Sequence, residues 1–129
     1  MKELIEAARA VRANAHAPYS RYHVGAAVRA ASGKIYVGAN VENASYGLAL
    51  CAERSAVAAA ISAGEKRLAA IAVVTSTSPP AAPCGMCRQV LAEFGADDLP
   101  IALVNDAGER SDTTLGDILP HAFRSGDLT

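Results

Sequence analysis

Cys51-Ala52-Glu53 and Pro83-Cys84-Gly85-Met86-Cys87 contain every cysteine of the chain, 3 in all, with one acid set beside them. Three thiolates can hold a zinc ion and leave its fourth position open. A structural zinc site closes all four positions with protein ligands, whereas a catalytic one keeps a place for water, so three cysteines and a nearby non-ligand glutamate read as chemistry. Both segments fall at predicted helix starts, where peptide dipoles and unpaired N–H groups lower a thiol's pKa and favour the thiolate ligand. Pro83 suits such a start, because its missing N–H costs nothing there. Cys84 and Cys87 lie nearly one turn apart and can face one metal, with Gly85 between them permitting close backbone approach; Cys51 comes from the other helix. Glu53 is singled out by its place in the Cys-Ala-Glu start, since by type alone a helical glutamate is a solvated residue. The alternative for the cysteines, small buried hydrophobes, runs against their metal-like spacing.

Working outward, Leu4, Ile5, Ala8 and Val11 repeat at helical spacing and give way at Ala17-Pro18-Tyr19-Ser20. Residues 24–31 and 35–39 are β-like runs around Ser32-Gly33, a predicted hairpin. An Ala-rich helix is expected from about Leu48 to Ser62, stopped by Gly64, and a buried strand from Leu68 to Thr75. Two consecutive prolines break residues 76–82; a helix over 84–94 closes at Gly95, a strand follows at 100–104, and a short helix near 114–119 ends before Pro120. Strands alternating with helices imply a layered α/β domain with a mixed sheet, the antiparallel hairpin at one side and parallel pairs joined by helices. No repeat, linker or low-complexity tract interrupts it, so one domain over 1–129 is expected.

Composition fits a compact carrier for such a site: 129 residues, 51% hydrophobic, with a formal net charge of -1. Near-neutral charge without a Lys or Arg run argues against a nucleic-acid polymer as partner. The 19% charged fraction is below the usual share for soluble domains, so partner subunits are expected to cover part of the apolar excess. An odd, metal-spaced cysteine set points to a reducing cytoplasm. Residues 1–15 carry Glu3 and Glu6 and no long apolar run, matching neither a signal peptide nor a membrane span.

The chain resembles the cytidine deaminases, in their small homotetrameric, three-cysteine class. The likeness runs through Ala17-Pro18-Tyr19-Ser20, Val24-Gly25-Ala26-Ala27, Asn40-Val41-Glu42-Asn43-Ala44-Ser45-Tyr46-Gly47, Cys51-Ala52-Glu53-Arg54, Pro83-Cys84-Gly85-Met86-Cys87-Arg88-Gln89-Val90, Leu119-Pro120 and Phe123. It implies a three-layer αβα sandwich around a mixed, about five-stranded sheet. It also implies one zinc per chain on Cys51, Cys84 and Cys87, with hydrolytic deamination of cytidine and deoxycytidine in pyrimidine salvage. Glu53 is then the proton shuttle. Three thiolates on zinc leave a formal charge of -1, so a neighbouring cation is needed, Arg54 first and Arg88 second; for either, the alternative is a surface ion pair.

By the same resemblance Asn40 and Glu42, which alternate at a strand end, bind the sugar's 3′-hydroxyl, Ala52 lies at the substrate, and Phe123 packs over the pyrimidine. Without it, Asn40-Val41-Glu42 reads equally as a turn-forming hairpin edge, and Phe123 as a core-filling aromatic. Where the family commonly has Phe-Pro before Val-Gly-Ala-Ala, this chain has Tyr22-His23. That puts Tyr22 at the pocket and leaves substrate breadth open. Two other readings remain: a deaminase of a modified cytidine or another aminated heterocyclic nucleoside, and a non-catalytic structural-zinc module. His23 is not expected on the metal, and His16 and His121 read as surface or interface residues.

Overall fold

A computed structural model describes residues 1–128. The elements run α1 (Lys2–Arg12), β1 (Gly25–Ala30), β2 (Ile35–Ala39), α2 (Ala52–Ser62), β3 (Leu68–Thr75), α3 (Gly85–Phe94), β4 (Pro100–Asn105), β5 (Arg110–Thr114) and α4 (Leu115–Ile118), with 3-10 turns at Tyr46–Leu48 and Ser125–Leu128. One mixed sheet of five strands forms in the order β2-β1-β3-β4-β5.

Period-two alternation divides each central strand between two cores. Ala26 and Val28 of β1, Ile71 and Val73 of β3, and Ile101 and Leu103 of β4 face Ala52, Ala56, Val57 and Leu91 of α2 and α3. Ala27, Ala72, Val74, Ala102 and Val104 face Leu4 and Ala8 of α1. Three layers result, as expected.

The helices sit close to the sheet because glycines admit them. A Cβ on Gly25 would stand 2.0 Å from the Ala8 carbonyl oxygen, and one on Gly38 would stand 2.3 Å from the Ala56 nitrogen. Because α2 carries the first cysteine, Gly38→Ala is expected to push that helix outward. The cost should be about 1–3 kcal/mol of stability in urea denaturation, typical of overpacking, with weaker zinc retention; unchanged values for both would show that α2 yields freely.

The hairpin forms as expected, β1 pairing antiparallel with β2. Among the described residues one strand pair is parallel, β3 with β4, where more than one parallel pair joined by helices was expected. The helical crossover from β2 to β3 does preserve strand direction. Both strands flank β1, however, so each meets it antiparallel. β5, Arg-Ser-Asp-Thr-Thr, was not placed from sequence: it is an exposed edge with no apolar alternation, and its pairing with β4 defines it. The second helix starts at Ala52 rather than near Leu48, since Leu50 and Val41 exchange backbone bonds of 2.9 Å in both directions and hold the preceding chain extended.

Candidate active site

Backbone extension up to residue 51 sets Cys51 as N-cap of α2, and Cys84 is N-cap of α3, with Cys87 buried in that helix's first turn. The helix starts bring the three sulfurs together: Cys51 Sγ lies 4.0 Å from Cys84 Sγ, which lies 3.5 Å from Cys87 Sγ. Tetrahedral ligation at zinc–sulfur distances of about 2.3 Å would set sulfurs about 3.8 Å apart, so the separations fit that ion. Among the described residues no His, Asp or Glu joins the group. His23 stays out, its Nδ1 lying 3.1 Å from the Arg21 carbonyl oxygen.

Hydrogen bonding with Cys87 and Cys84 and the Arg54 guanidinium hold the Cys51 thiol down to about 5. The same hydrogen bond with Cys51, together with burial, pushes the Cys87 thiol up. Of the two, Cys51 is the more readily ionised thiol. Arg54 Nη2 donates to the Ala49 carbonyl at 3.1 Å and points at Cys51 Sγ at 3.8 Å, and among the described residues its buried Nε has no hydrogen-bond partner. The side chain is half-buried, and a guanidinium with one unpaired buried nitrogen is favoured by a nearby counter-charge. Three thiolates on a divalent ion supply that charge.

Arg88 does not share this role. Its Nε donates to the Pro83 carbonyl and its Nη1 to the Ile118 carbonyl, each at 2.7 Å, so its guanidinium ties the Cys84 turn to α4 instead of touching a sulfur.

Glu53 follows Cys51 by two positions and is 6% exposed. Burial pushes its carboxyl above the usual range, with the Cys51 charge adding to it and Arg54 opposing. It lines a cavity of about 200 Å³ together with Tyr22, Asn40, Ala52, Cys51 and Cys84. Val24 and Val73, Thr75 at the C-terminal end of β3, and Ala81 and Ala82 from the proline-broken loop also line it. Sequence reasoning assigned none of these to the site; for Ala81 and Ala82, small size beside Pro83 was the signal available. Tyr22, Asn40 and Ala52 are thus brought to Glu53 and the cysteines.

Glu42 and Phe123 are placed elsewhere. Glu42 lines a second cavity with Tyr19, Ser20 and Tyr46. Its Oε1 accepts from the Tyr19 and Ser20 nitrogens at 2.9 and 3.1 Å, and Oε2 accepts from the Ser20 hydroxyl. The Ser20 hydroxyl and these backbone donors hold its carboxyl below the usual range. Phe123 is 56% exposed and off the cavity of its own chain, and Gln89 Nε2 donates to its carbonyl at 2.8 Å.

A layered sheet presenting three cysteine sulfurs and a buried glutamate at two helix starts defines a zinc hydrolase. Residues 1–103 match the family described as "Cytidine and deoxycytidylate deaminase zinc-binding region". A cytidine deaminase of Sporosarcina psychrophila is 43% identical over 100% of this chain and 95% of its own length. One from Halalkalibacterium halodurans is 46% identical over 99% and 94%. The crystal structure of cytidine deaminase from Burkholderia pseudomallei superposes with a TM-score of 0.91 at 52% identity, covering 95% of this chain and 98% of that one. The chain belongs to the cytidine and deoxycytidylate deaminase family.

Proposed function

We propose that the chain hydrolyses cytidine and deoxycytidine to uridine and deoxyuridine plus ammonia. The carrying observation is the buried Glu53 carboxyl sharing one small cavity with Cys51 and Cys84. A bound zinc supplies Lewis acidity that brings water's deprotonation near neutral pH. Glu53, held in apolar surroundings with a raised affinity for protons, takes the proton of the attacking water as C4 is attacked. It then returns protons to N3 and to the departing amino group. Water replaces ammonia without a covalent enzyme intermediate. Arg54 offsets the thiolates' charge.

The cavity, about 200 Å³, is of a size for a nucleoside base, and a net charge of -1 gives a polyanionic polymer little to bind. Asn40, on the cavity wall, binds the sugar's 3′-hydroxyl, and Glu42 joins it only by giving up the Tyr19 and Ser20 bonds that hold it in the second cavity; Tyr22 and Ala52 bound the base, and Phe123, exposed on its own chain, reaches the site of another subunit in a homotetramer. Among the described residues no helix is long and apolar enough to cross a membrane, and the free thiols suit a cytoplasmic enzyme of pyrimidine salvage. Measuring ammonia release from cytidine, deoxycytidine, base-modified cytidines and adenosine tests the reading: zinc-loaded protein that turns over none of the cytidines would sink it.

Arg54→Ala is expected to lower turnover more than folding, and zinc should be lost sooner to a chelator because the thiolates lose their counter-charge. Parent-like turnover and metal retention would refute the charge argument. For the family departure at residues 22 and 23, the double replacement Tyr22→Phe with His23→Pro is expected to change relative kcat/KM among cytidine, deoxycytidine and base-modified cytidines. The Tyr22 phenol is half-buried on the cavity wall, and removing a hydroxyl there shifts selectivity where its polar partner is left unpaired. Constant ratios across the panel would make the pair structural.

A further inference from the structure

The segment from Arg21 to Val24 joins α1 to β1 and gives the cavity two of its walls, Tyr22 and Val24. Its backbone is held residue by residue. Tyr22 N donates to Ser20 Oγ at 3.0 Å, and Asn40 Nδ2 donates to the Tyr22 carbonyl at 2.7 Å. Arg12 Nε donates to the His23 carbonyl at 2.8 Å, and Val24 N donates to Asn40 Oδ1 at 2.8 Å. Arg12 is itself gripped by both carboxylate oxygens of Asp106.

Arg21, just ahead of this run, has φ of 62°. A side chain with a Cβ avoids that left-handed conformation, which persists only where its surroundings over-determine it. The bonds to Tyr22, His23 and Val24 supply that determination. Asn40 spends one N–H and one carbonyl lone pair on the clamp, so each end of its amide is committed before any substrate arrives. Arg12 lines a different cavity, with Arg9, Ala13 and His23. It can therefore influence the reaction only through the backbone it holds. Every acceptor on this segment is a main-chain carbonyl, so the clamp works whether positions 22 and 23 carry Tyr-His or other side chains.

We propose that Asn40 and Arg12 are positioning residues of the deaminase site, clamping the backbone of Tyr22–Val24 so that the Tyr22 ring is fixed in the wall facing Glu53. The inference rests on the deaminase reading, which turnover of cytidine by the parent enzyme tests by itself.

The experiment compares the zinc-loaded parent with Asn40→Ala, Asn40→Asp, Arg12→Met and Arg12→Lys, on cytidine and on 3′-deoxycytidine, with zinc content and Tm recorded. Small misplacements of a substrate-facing wall cost up to about a hundredfold. Asn40→Ala is expected to lower kcat/KM about tenfold on both nucleosides. Arg12→Met is expected to raise KM about fivefold on both with kcat within about twofold, the pattern of lost uniform binding. Arg12→Lys, whose ammonium can still reach the His23 carbonyl, should recover part of that loss. Should Asn40→Ala not fold, Asn40→Asp keeps the acceptor for Val24 N while removing the donor to Tyr22.

Asn40 losses confined to cytidine would mean that the residue acts through the ribose alone and would overturn the proposal. An Arg12→Met enzyme with unchanged KM would also overturn it, since a merely destabilised fold lowers the active fraction, and so apparent kcat, without moving KM.

Discussion

Glu53→Gln is expected to retain zinc and nucleoside binding while losing at least about 10²- to 10⁴-fold in turnover, the usual contribution of a positioned acid–base group. The side chain is 6% exposed, so no bulk water stands ready to replace it as proton carrier. The amide keeps the shape but cannot accept the proton of water or hand one to the departing amine. Because the same residue serves several transfers, the loss should fall in kcat rather than KM.

Stability should move the other way or stay level. Burial raises the folded-state pKa of Glu53, so the native protein holds that proton more tightly than the unfolded chain does. The ionisation penalty is absent below the unfolded pKa and grows as pH rises above it. Gln removes the penalty at neutral pH, so Tm at pH 7 should not fall. Near-parent turnover in this variant would remove Glu53 from the mechanism, and a large drop in Tm would make the activity loss uninterpretable as chemistry.

What the sequence disclosed follows the range of the interactions involved. Cys51, Glu53, Cys84 and Cys87 were legible because each sits at a helix start, and helix starts are written locally in capping position, proline and apolar period. The buried strand β3 was legible as an apolar run, but a run apolar on both faces does not say which residue meets which helix, and the division into two cores shows only in the structure. β5 was not legible: Arg-Ser-Asp-Thr-Thr carries no pattern of its own, and only the partner edge of β4 makes it a strand. Arg88 shows the same limit. The family resemblance made it the second candidate to face the sulfurs, yet two backbone carbonyls, one of them 30 positions away, take its donors. Glu42 was expected to face the same way as Asn40, but β2 ends at Ala39, and past that point strand alternation no longer dictates direction. The cavity wall at Thr75, Ala81 and Ala82 is made of small residues, one ending β3 and two in the loop after it, to which no local pattern assigns a role.

Cys87→Ser is expected to abolish zinc binding at stoichiometric metal and to take turnover below detection, a larger effect than changing any residue outside the ligand set. Cys87 is fully buried, between the first turn of α3 and the other two sulfurs. Serine there presents a hard, poorly acidic hydroxyl where a soft thiolate is needed, and the remaining two thiolates cannot fix the ion. The metal's thermodynamic signature separates this from misfolding. A ligand that binds only the folded state stabilises it by roughly 4 kcal/mol at a thousand times its Kd, so the parent should lose several degrees of Tm on chelation. In Cys87→Ser that chelator-dependent shift should vanish, leaving a Tm close to that of the stripped parent. Zinc uptake by the parent must also release the Cys87 proton, because hydrogen bonding with Cys51 and burial keep that thiol protonated until metal arrives. Apparent affinity should therefore weaken as pH is lowered. A Cys87→Ser protein that still held one zinc per chain, or a parent whose zinc affinity ignored pH, would show that the three sulfurs do not act as one ligand set.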